Sequence, residues 1–215
     1  MIHNLSKENS IFNNFLSEIR DEEVQLDRMR FRKNLERIAE IMAYELSKKL
    51  KYSKKIFTTP LGDAHVSTMD DNIVLATILR AGLPMHQGLL NYFDNADSAF
   101  VSAYRKHTSE EDFDIQVDYC AAPSIDGRIL IISDPMLATG SSMIQVYKAL
   151  KKHGNPKSVH IVAAIATDEA LEYIKKKTPE ATKIWVGAID DELTAQSYIV
   201  PGIGDAGDLA FGDKL

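Results

Sequence analysis

The stretch Arg128-Ile-Leu-Ile-Ile-Ser-Asp-Pro-Met-Leu-Ala-Thr-Gly-Ser-Ser142 constrains this chain more than any other. Ile129 to Ile132 is short, apolar and mostly β-branched, the composition of a strand buried on both faces of a parallel sheet. It ends on Ser133-Asp134, where the backbone should leave the core. Ala138-Thr-Gly-Ser-Ser142 are all small or hydroxylated, and Met143, Val146, Tyr147 and Leu150 then recur at helical spacing. The reading is a strand, a tight loop and a helix N-terminus. The first amides of a helix have no internal partner and carry the positive end of its dipole, so small residues there let a phosphate approach. Thr139, Ser141 and Ser142 add hydroxyl donors. Asp134 stands at the carboxyl end of the strand, where ligands collect in open α/β sheets. A carboxylate beside a phosphate cradle repels phosphate, so it suits sugar hydroxyls or a magnesium ion. Taken alone, the pattern also fits an ordinary βα turn whose hydroxyls cap the helix.

The exact string goes further. Asp134-Pro-Met-Leu-Ala-Thr-Gly-Ser-Ser142 resembles the phosphoribosyl-pyrophosphate (PRPP) loop of the type I phosphoribosyltransferases, in the Asp-Pro form of the uracil phosphoribosyltransferases. Ile78-Leu-Arg-Ala-Gly-Leu83 is similar to that family's pyrophosphate loop, and Tyr198-Ile-Val-Pro-Gly-Ile-Gly-Asp-Ala-Gly-Asp208 to its uracil-binding segment. The three stretches stand in the family's order, from about Leu35 to the C-terminus. The resemblance implies an α/β fold: a type I phosphoribosyltransferase-like parallel sheet flanked by helices, within a single domain. Residues 1–50 would form a helical arm packed against a neighbouring subunit, 51–190 the core sheet, and 191–215 a C-terminal hood over the base.

In chain order, Ile11 to Arg20 reads as a short helix, and Phe31, Leu35, Ile38, Met42 and Leu46 recur over a longer one. Arg28, Arg30 and Arg32 cluster there and are read as a solvated face or a contact within an oligomer. Thr58-Thr-Pro-Leu-Gly62 is a turn between short strands. Ile73 to Leu79 is a second buried strand, stopping at Arg80-Ala-Gly82, a cation and small residues suited to an anion. Pro84 to Tyr92 should be a helix containing a structural His86. Ala99 to Ala103 reads as a strand ending in Tyr104-Arg105; the resemblance makes Arg105 a second arginine for the diphosphate. His107-Thr-Ser-Glu-Glu-Asp112 is polar and precedes an alternating strand from Phe113 to Tyr119, a flexible hairpin expected to close over the substrate. The family's more familiar bacterial members carry prolines there. Cys120 has no activating basic neighbour in sequence and reads as a buried hydrophobe. Val159 to Ile165 and Ile184 to Ala188 complete the strands, with Trp185 in the core. Ala170, Tyr173 and Ile174 mark the helix between them, and alternating strands and helices imply right-handed crossovers.

Gly202-Ile-Gly204-Asp-Ala-Gly207 matches the dinucleotide fingerprint letter for letter. That fingerprint needs a helix after it and an acidic residue about twenty positions on; the chain ends at Leu215. The glycines are read instead as permission for a tight fold around a small planar ligand. The resemblance places uracil against Ile199, Gly204, Asp205 and Ala206, with Tyr198 stacking or supporting. It places PRPP against Arg80, Arg105, Asp134, Pro135, Met136, Leu137, Ala138, Thr139, Gly140, Ser141, Ser142 and Asp205. Catalytic roles fall to Asp134, Arg105 and Asp205, the last as a weak candidate base, since no residue stands out as one. Mg2+, held mainly through the PRPP diphosphate, is the implied cofactor. Ser141 stands where many family members have glycine.

Composition narrows the class. A net charge of −6 with no basic block argues against a nucleic-acid surface. The lone Cys120 permits no internal disulfide, and no signal peptide or apolar run of membrane-spanning length is visible, so the chain reads as cytoplasmic. The expected activity is uracil phosphoribosyltransferase, a pentosyl transfer in pyrimidine salvage, with a homodimer or higher homo-oligomer as the assembly. Three alternatives stay open: a type I transferase for another base, a non-catalytic RNA-binding regulator on the same scaffold, and a structural oligomer that binds nucleotide without turnover.

Overall fold

In the computed structural model of the chain, residues 1–70, 72–107 and 113–214 are described, the side chains of 104–116 excepted. The central sheet is assembled from β1 (Ile2–Asn4), β4 (Ile73–Leu79), β5 (Asp97–His107), β6 (Phe113–Ala121), β7 (Ile129–Ser133), β9 (Ser158–Thr167) and β10 (Lys183–Asp190), with β8 (Met136–Leu137) beside β9. A separate hairpin pairs β2 (Tyr52–Thr59) with β3 (Gly62–Met69), and a second, shorter one pairs β11 (Glu192–Leu193) with β12 (Ile199–Val200). The helices are α1 (Ile11–Arg20), α2 (Arg28–Ser47), α3 (Leu83–Leu90), α4 (Ser141–Leu150), α5 (Asp168–Lys177) and α6 (Ala206–Phe211).

Across the central sheet the order is β1-β10-β9-β7-β4-β5-β6. Every pairing in it is parallel except β5 with β6. The apolar runs read from sequence occupy its middle: Val74, Leu75, Ala76, Leu130, Ile131, Ile132 and Ile161 to Ala166 are fully buried. Helices cover both faces, which is why these strands read as continuous hydrophobic runs rather than as alternations. On one face lie α1, α2 and α3, with Phe12, Ile19, Phe31, Leu35, Ile38, Met42 and Met85 packed on Leu75, Ile131 and Trp185. On the other, Met143, Val146 and Leu150 of α4 and Leu171 and Ile174 of α5 meet Leu130, Ile132 and Ile161.

The N-terminal segment is helical, as expected, and it also packs on the chain's own sheet. Residues 2–4 form an edge strand parallel to β10, and α1 and α2 cover their own sheet. Burying Phe31, Leu35, Ile38, Met42 and Leu46, each at most 1% exposed, is worth roughly 1.5–3 kcal/mol per side chain, so this packing fixes α2 in place. Within 51–190, β2 and β3 stand off the central sheet as a pair of their own. Trp185 is buried as expected and stacks on His3 with ring centroids 4.0 Å apart. His86 is buried, and its Nε2 lies 3.0 Å from Ser98 Oγ, a partner that its sequence neighbourhood did not reveal. Cys120 is partly exposed, with its Sγ 3.8 Å from His153 Nε2.

Candidate active site

The site lies beyond the carboxyl ends of β7 and β4. After Ser133 the chain leaves the sheet: the Asp134 amide still donates to Val162 O at 3.1 Å, and the Pro135 carbonyl accepts from Ile165 N at 2.9 Å. Met136 and Leu137 rejoin β9 through the short strand β8. Thr167 Oγ1 donates to the Ala138 carbonyl at 2.7 Å and accepts the Ala170 amide, so one hydroxyl fixes the loop and caps α5. Gly140 then enters α4 at φ +76°, where a Cβ would stand 3.0 Å from Ile174 Cγ1 and 3.1 Å from the Ala170 carbonyl. Glycine is required there by both backbone and space. The Thr139 hydroxyl accepts the Ser141 amide at 3.3 Å. The amides of Ser142 and Met143 have no acceptor within the helix by virtue of their position.

Facing this loop is the C-terminal segment. Asp190, at the end of β10, takes both terminal nitrogens of Arg20 at 2.8 Å and also accepts the Gly202 amide at 2.9 Å. Arg20 in turn donates to the Gly202 carbonyl at 3.0 Å. The turn is thereby pinned to α1 and β10, with Gly202 at φ +57° and Gly204 at φ +77°. Asp205 caps α6, its Oδ1 accepting the amides of Gly207 at 2.8 Å and Asp208 at 3.1 Å.

Loop and segment enclose a cavity of about 490 Å³. On its wall stand Asp134, Met136, Leu137, Ala138, Thr139, Gly140, Ser142, Tyr198, Ile199 and Asp205, all singled out in the sequence. Pro135, Ser141, Arg80, Gly204 and Ala206 are off it. Ala206 is fully buried in the core that it shares with α2, with its side chain off the cavity wall. Gly204 instead lines a neighbouring recess with Gln25, Arg28 and Asp208. Arg80 donates to Asp208 Oδ1 at 2.8 Å and to the Gly212 carbonyl at 3.1 Å. Gly82 makes the Arg80 turn possible, because a Cβ there would overlap Thr77 Oγ1. The Arg105 side chain and the polar stretch at 108–112 lie outside the described residues. The sequence reading did not single out Ala103, Met143, Ser197 and Lys214, which also line the cavity. Only Lys214, a cation in an acidic tail, carried a signal that could have been used.

Burial raises the Asp134 carboxyl to about 7, with the Met136 amide pulling the other way. A carboxyl held near neutrality at the foot of a cavity is primed to accept ligand hydroxyls, which favour its charged form. Asp134 and Asp205 are the acidic side chains on the cavity wall, the oxygen donors that Mg2+ prefers. No described helix is long and apolar enough to cross a membrane.

Comparisons with known proteins point to one family. A family profile described as Uracil phosphoribosyltransferase matches residues 6–213. The chain is 56% identical over 215 residues to a uracil phosphoribosyltransferase of Porphyromonas gingivalis, covering 100% of this chain and 99% of the relative. A Pyrococcus furiosus protein of the same name is 39% identical over 203 residues, 93% of this chain and 85% of the relative. Among solved structures, a protein from Aquifex aeolicus aligns with a TM-score of 0.88 at 31% identity over the whole of both chains. A hypoxanthine phosphoribosyltransferase from Staphylococcus aureus aligns with a TM-score of 0.52 at 16% identity, over 86% of this chain and 83% of that one. That last likeness concerns the fold alone.

Proposed function

Since the chain belongs to the uracil phosphoribosyltransferase family, we propose that it transfers the phosphoribosyl group of PRPP to N1 of uracil, giving UMP and pyrophosphate in pyrimidine salvage. The observation that carries this reading is a single cavity with Asp134 and the α4 N-terminus on one side and Ile199 and Asp205 on the other. One wall suits a phosphorylated sugar and the other a small planar base.

In this assignment the 5′-phosphate takes the amides of the α4 N-terminus and the hydroxyls of Thr139, Ser141 and Ser142, with Lys214 adding positive charge from the facing wall. Asp134 accepts the ribose hydroxyls. As the anomeric C–O bond breaks, positive charge develops on the ribose ring, as in other oxocarbenium-like displacements. The diphosphate leaves with the bonding pair, stabilised by Arg80 and Arg105. N1 of uracil supplies the new bond and gives up its proton. Asp205 is the candidate acceptor: its Oδ1 is committed to the α6 amides, which leaves Oδ2 for the base or ribose side. Pro135 sets the turn, Met136 to Gly140 shape the wall, and Ile199 contributes an apolar contact to uracil. Gly204 and Ala206 act through the backbone that they shape. Backbone donors to uracil O4 would reject the cytosine amino group, which leaves two donors facing each other. Mg2+ would supply charge neutralisation at the diphosphate, and Asp134 or Asp205 would be its protein oxygen donor.

The division of labour we infer has residues 51–190 supply most PRPP contacts and 191–215 the base contacts together with Asp205 and Lys214 toward PRPP, in a cytoplasmic homodimer or higher homo-oligomer. The experiment is a radiolabelled-uracil assay with PRPP and Mg2+, run beside cytosine, orotate, hypoxanthine and xanthine. UMP from uracil alone is expected. Product from another base instead would overturn the pocket assignment, and no product from any base would return the non-catalytic regulator to first place.

A further inference from the structure

The Arg80 guanidinium stands off the wall of the main cavity, with its side chain 37% exposed. Its Nη2 donates to Asp208 Oδ1 at 2.8 Å and its Nη1 to the Gly212 carbonyl at 3.1 Å, so one cation spans the first and last turns of α6. Its Nε is buried and has no acceptor among the described residues. The amide of Asp208 is capped by Asp205 Oδ1, and Asp205 stands on the cavity wall. A continuous path therefore runs from the wall of the base half-site through the N-terminus of α6 to Asp208, and from Asp208 to the arginine on the loop after β4. The pair is about one-third exposed on each side, 37% and 33%, and contributes little stability of its own. What it fixes is orientation: with Asp208 and Gly212 holding the two outer nitrogens, the guanidinium plane is set and its remaining N–H groups are left for an anion.

We propose that Asp208 is a positioning residue that aims Arg80 at the diphosphate and ties it to the base segment, so that uracil and diphosphate bind with positive coupling. The inference rests on the functional reading above and adds to it a residue with no direct contact with either substrate. Seating uracil orders α6 and with it Arg80; filling the diphosphate site orders Arg80 and with it α6. By linkage, each ligand must strengthen the other by the same factor.

The test measures uracil affinity calorimetrically with and without Mg2+-pyrophosphate, in wild type, Asp208→Asn and Asp208→Glu. Wild type is expected to bind uracil at least about fivefold more tightly when pyrophosphate is present. Asp208→Asn should bring that ratio close to one and raise the KM for PRPP about tenfold, with the thermal midpoint near wild type. Asp208→Glu, which keeps the charge, should restore much of the coupling. Full coupling in a folded Asp208→Asn protein overturns the proposal, as does equal uracil affinity with and without pyrophosphate in wild type. UMP formation by wild type is scored separately. Its absence removes the functional reading, whereas UMP formation without coupling removes only the role of Asp208.

Discussion

At the residue scale, Asp134 and His86 show how burial sets charge. Desolvation raises Asp134 to about 7 and lowers His86 to about 4. For Asp134 the folded state holds a proton that the unfolded chain releases near its ordinary value of 3.8. Its contribution to stability is therefore complete below that value and is lost as pH rises to about 7. For His86 the unfolded chain takes up a proton near 6.5 while the folded state takes it only near 4, so stability is complete above 6.5 and lost as pH falls. The two slopes oppose each other across the same window, and wild-type stability should be flatter there than either group alone would make it. Asp134→Asn removes one slope. The variant should match wild type near pH 4 and exceed it by on the order of 2–4 kcal/mol above pH 7, since each tenfold change in proton affinity is worth ~1.4 kcal/mol. Thermal midpoints of both proteins from pH 4 to 8 check this; a constant difference across the range would mean that the Asp134 carboxyl is not raised in the folded state.

At the element scale, the hood is held by its contacts with the rest of the chain rather than by its own secondary structure. Strands β11 and β12 contribute two residues each and α6 only six, too little to hold a segment alone. The Arg20–Asp190–Gly202 network supplies part of what is missing, at the entry to the segment, with Asp190 only 6% exposed. Replacing Asp190 by Ala leaves Arg20 without its carboxylate and the Gly202 amide without its acceptor. A loss of about 3–5 kcal/mol is expected. If the base sits against this segment, the KM for uracil should rise at least tenfold with the KM for PRPP little changed, since the loop before α4 keeps its own support from Thr167. Denaturant unfolding and steady-state kinetics measure the two effects, and equal loss of both substrates would show that the network supports the whole site. None of this was visible in the sequence, because Arg20 and Asp190 lie 170 positions apart. Nor could sequence tell that Ala206 turns into the core: on so short a helix, either face could have held the small residue. The loop from Asp134 to Ser142 was legible because its small residues and hydroxyls answer a local demand, close approach at a helix N-terminus.

At the scale of the whole molecule, the buried strands were readable because covering a parallel sheet on both faces forces continuous apolar runs. Strand β1 was not, since Ile2-His-Asn4 has no pattern of its own and becomes a strand only by pairing with β10. The β2–β3 hairpin poses the converse problem. It was readable as strands about a turn, yet its surface makes no sense in an isolated chain. Lys55 pairs with Val66 and Ile56 with His65, which puts Phe57 and Val66 on one face and Tyr52 and Ile56 on the other. All four are exposed, Ile56 at 63%, and Leu61 at the tip is 100% exposed. A lone two-stranded hairpin is marginal in water, and packing against its own sheet could shelter only one face. Another copy of the chain could cover both, which is the support for the proposed oligomer. Light scattering should give a mass of at least twice the 24.0 kDa chain. Replacing Ile56 and Phe57 together by lysine puts a charge on each face and should move the protein toward 24.0 kDa, with the sheet and its secondary-structure signal preserved. A wild-type mass of 24.0 kDa would remove the oligomer. An unchanged larger mass in the doubly substituted protein would move the interface away from the hairpin, leaving these exposed apolar faces without a partner.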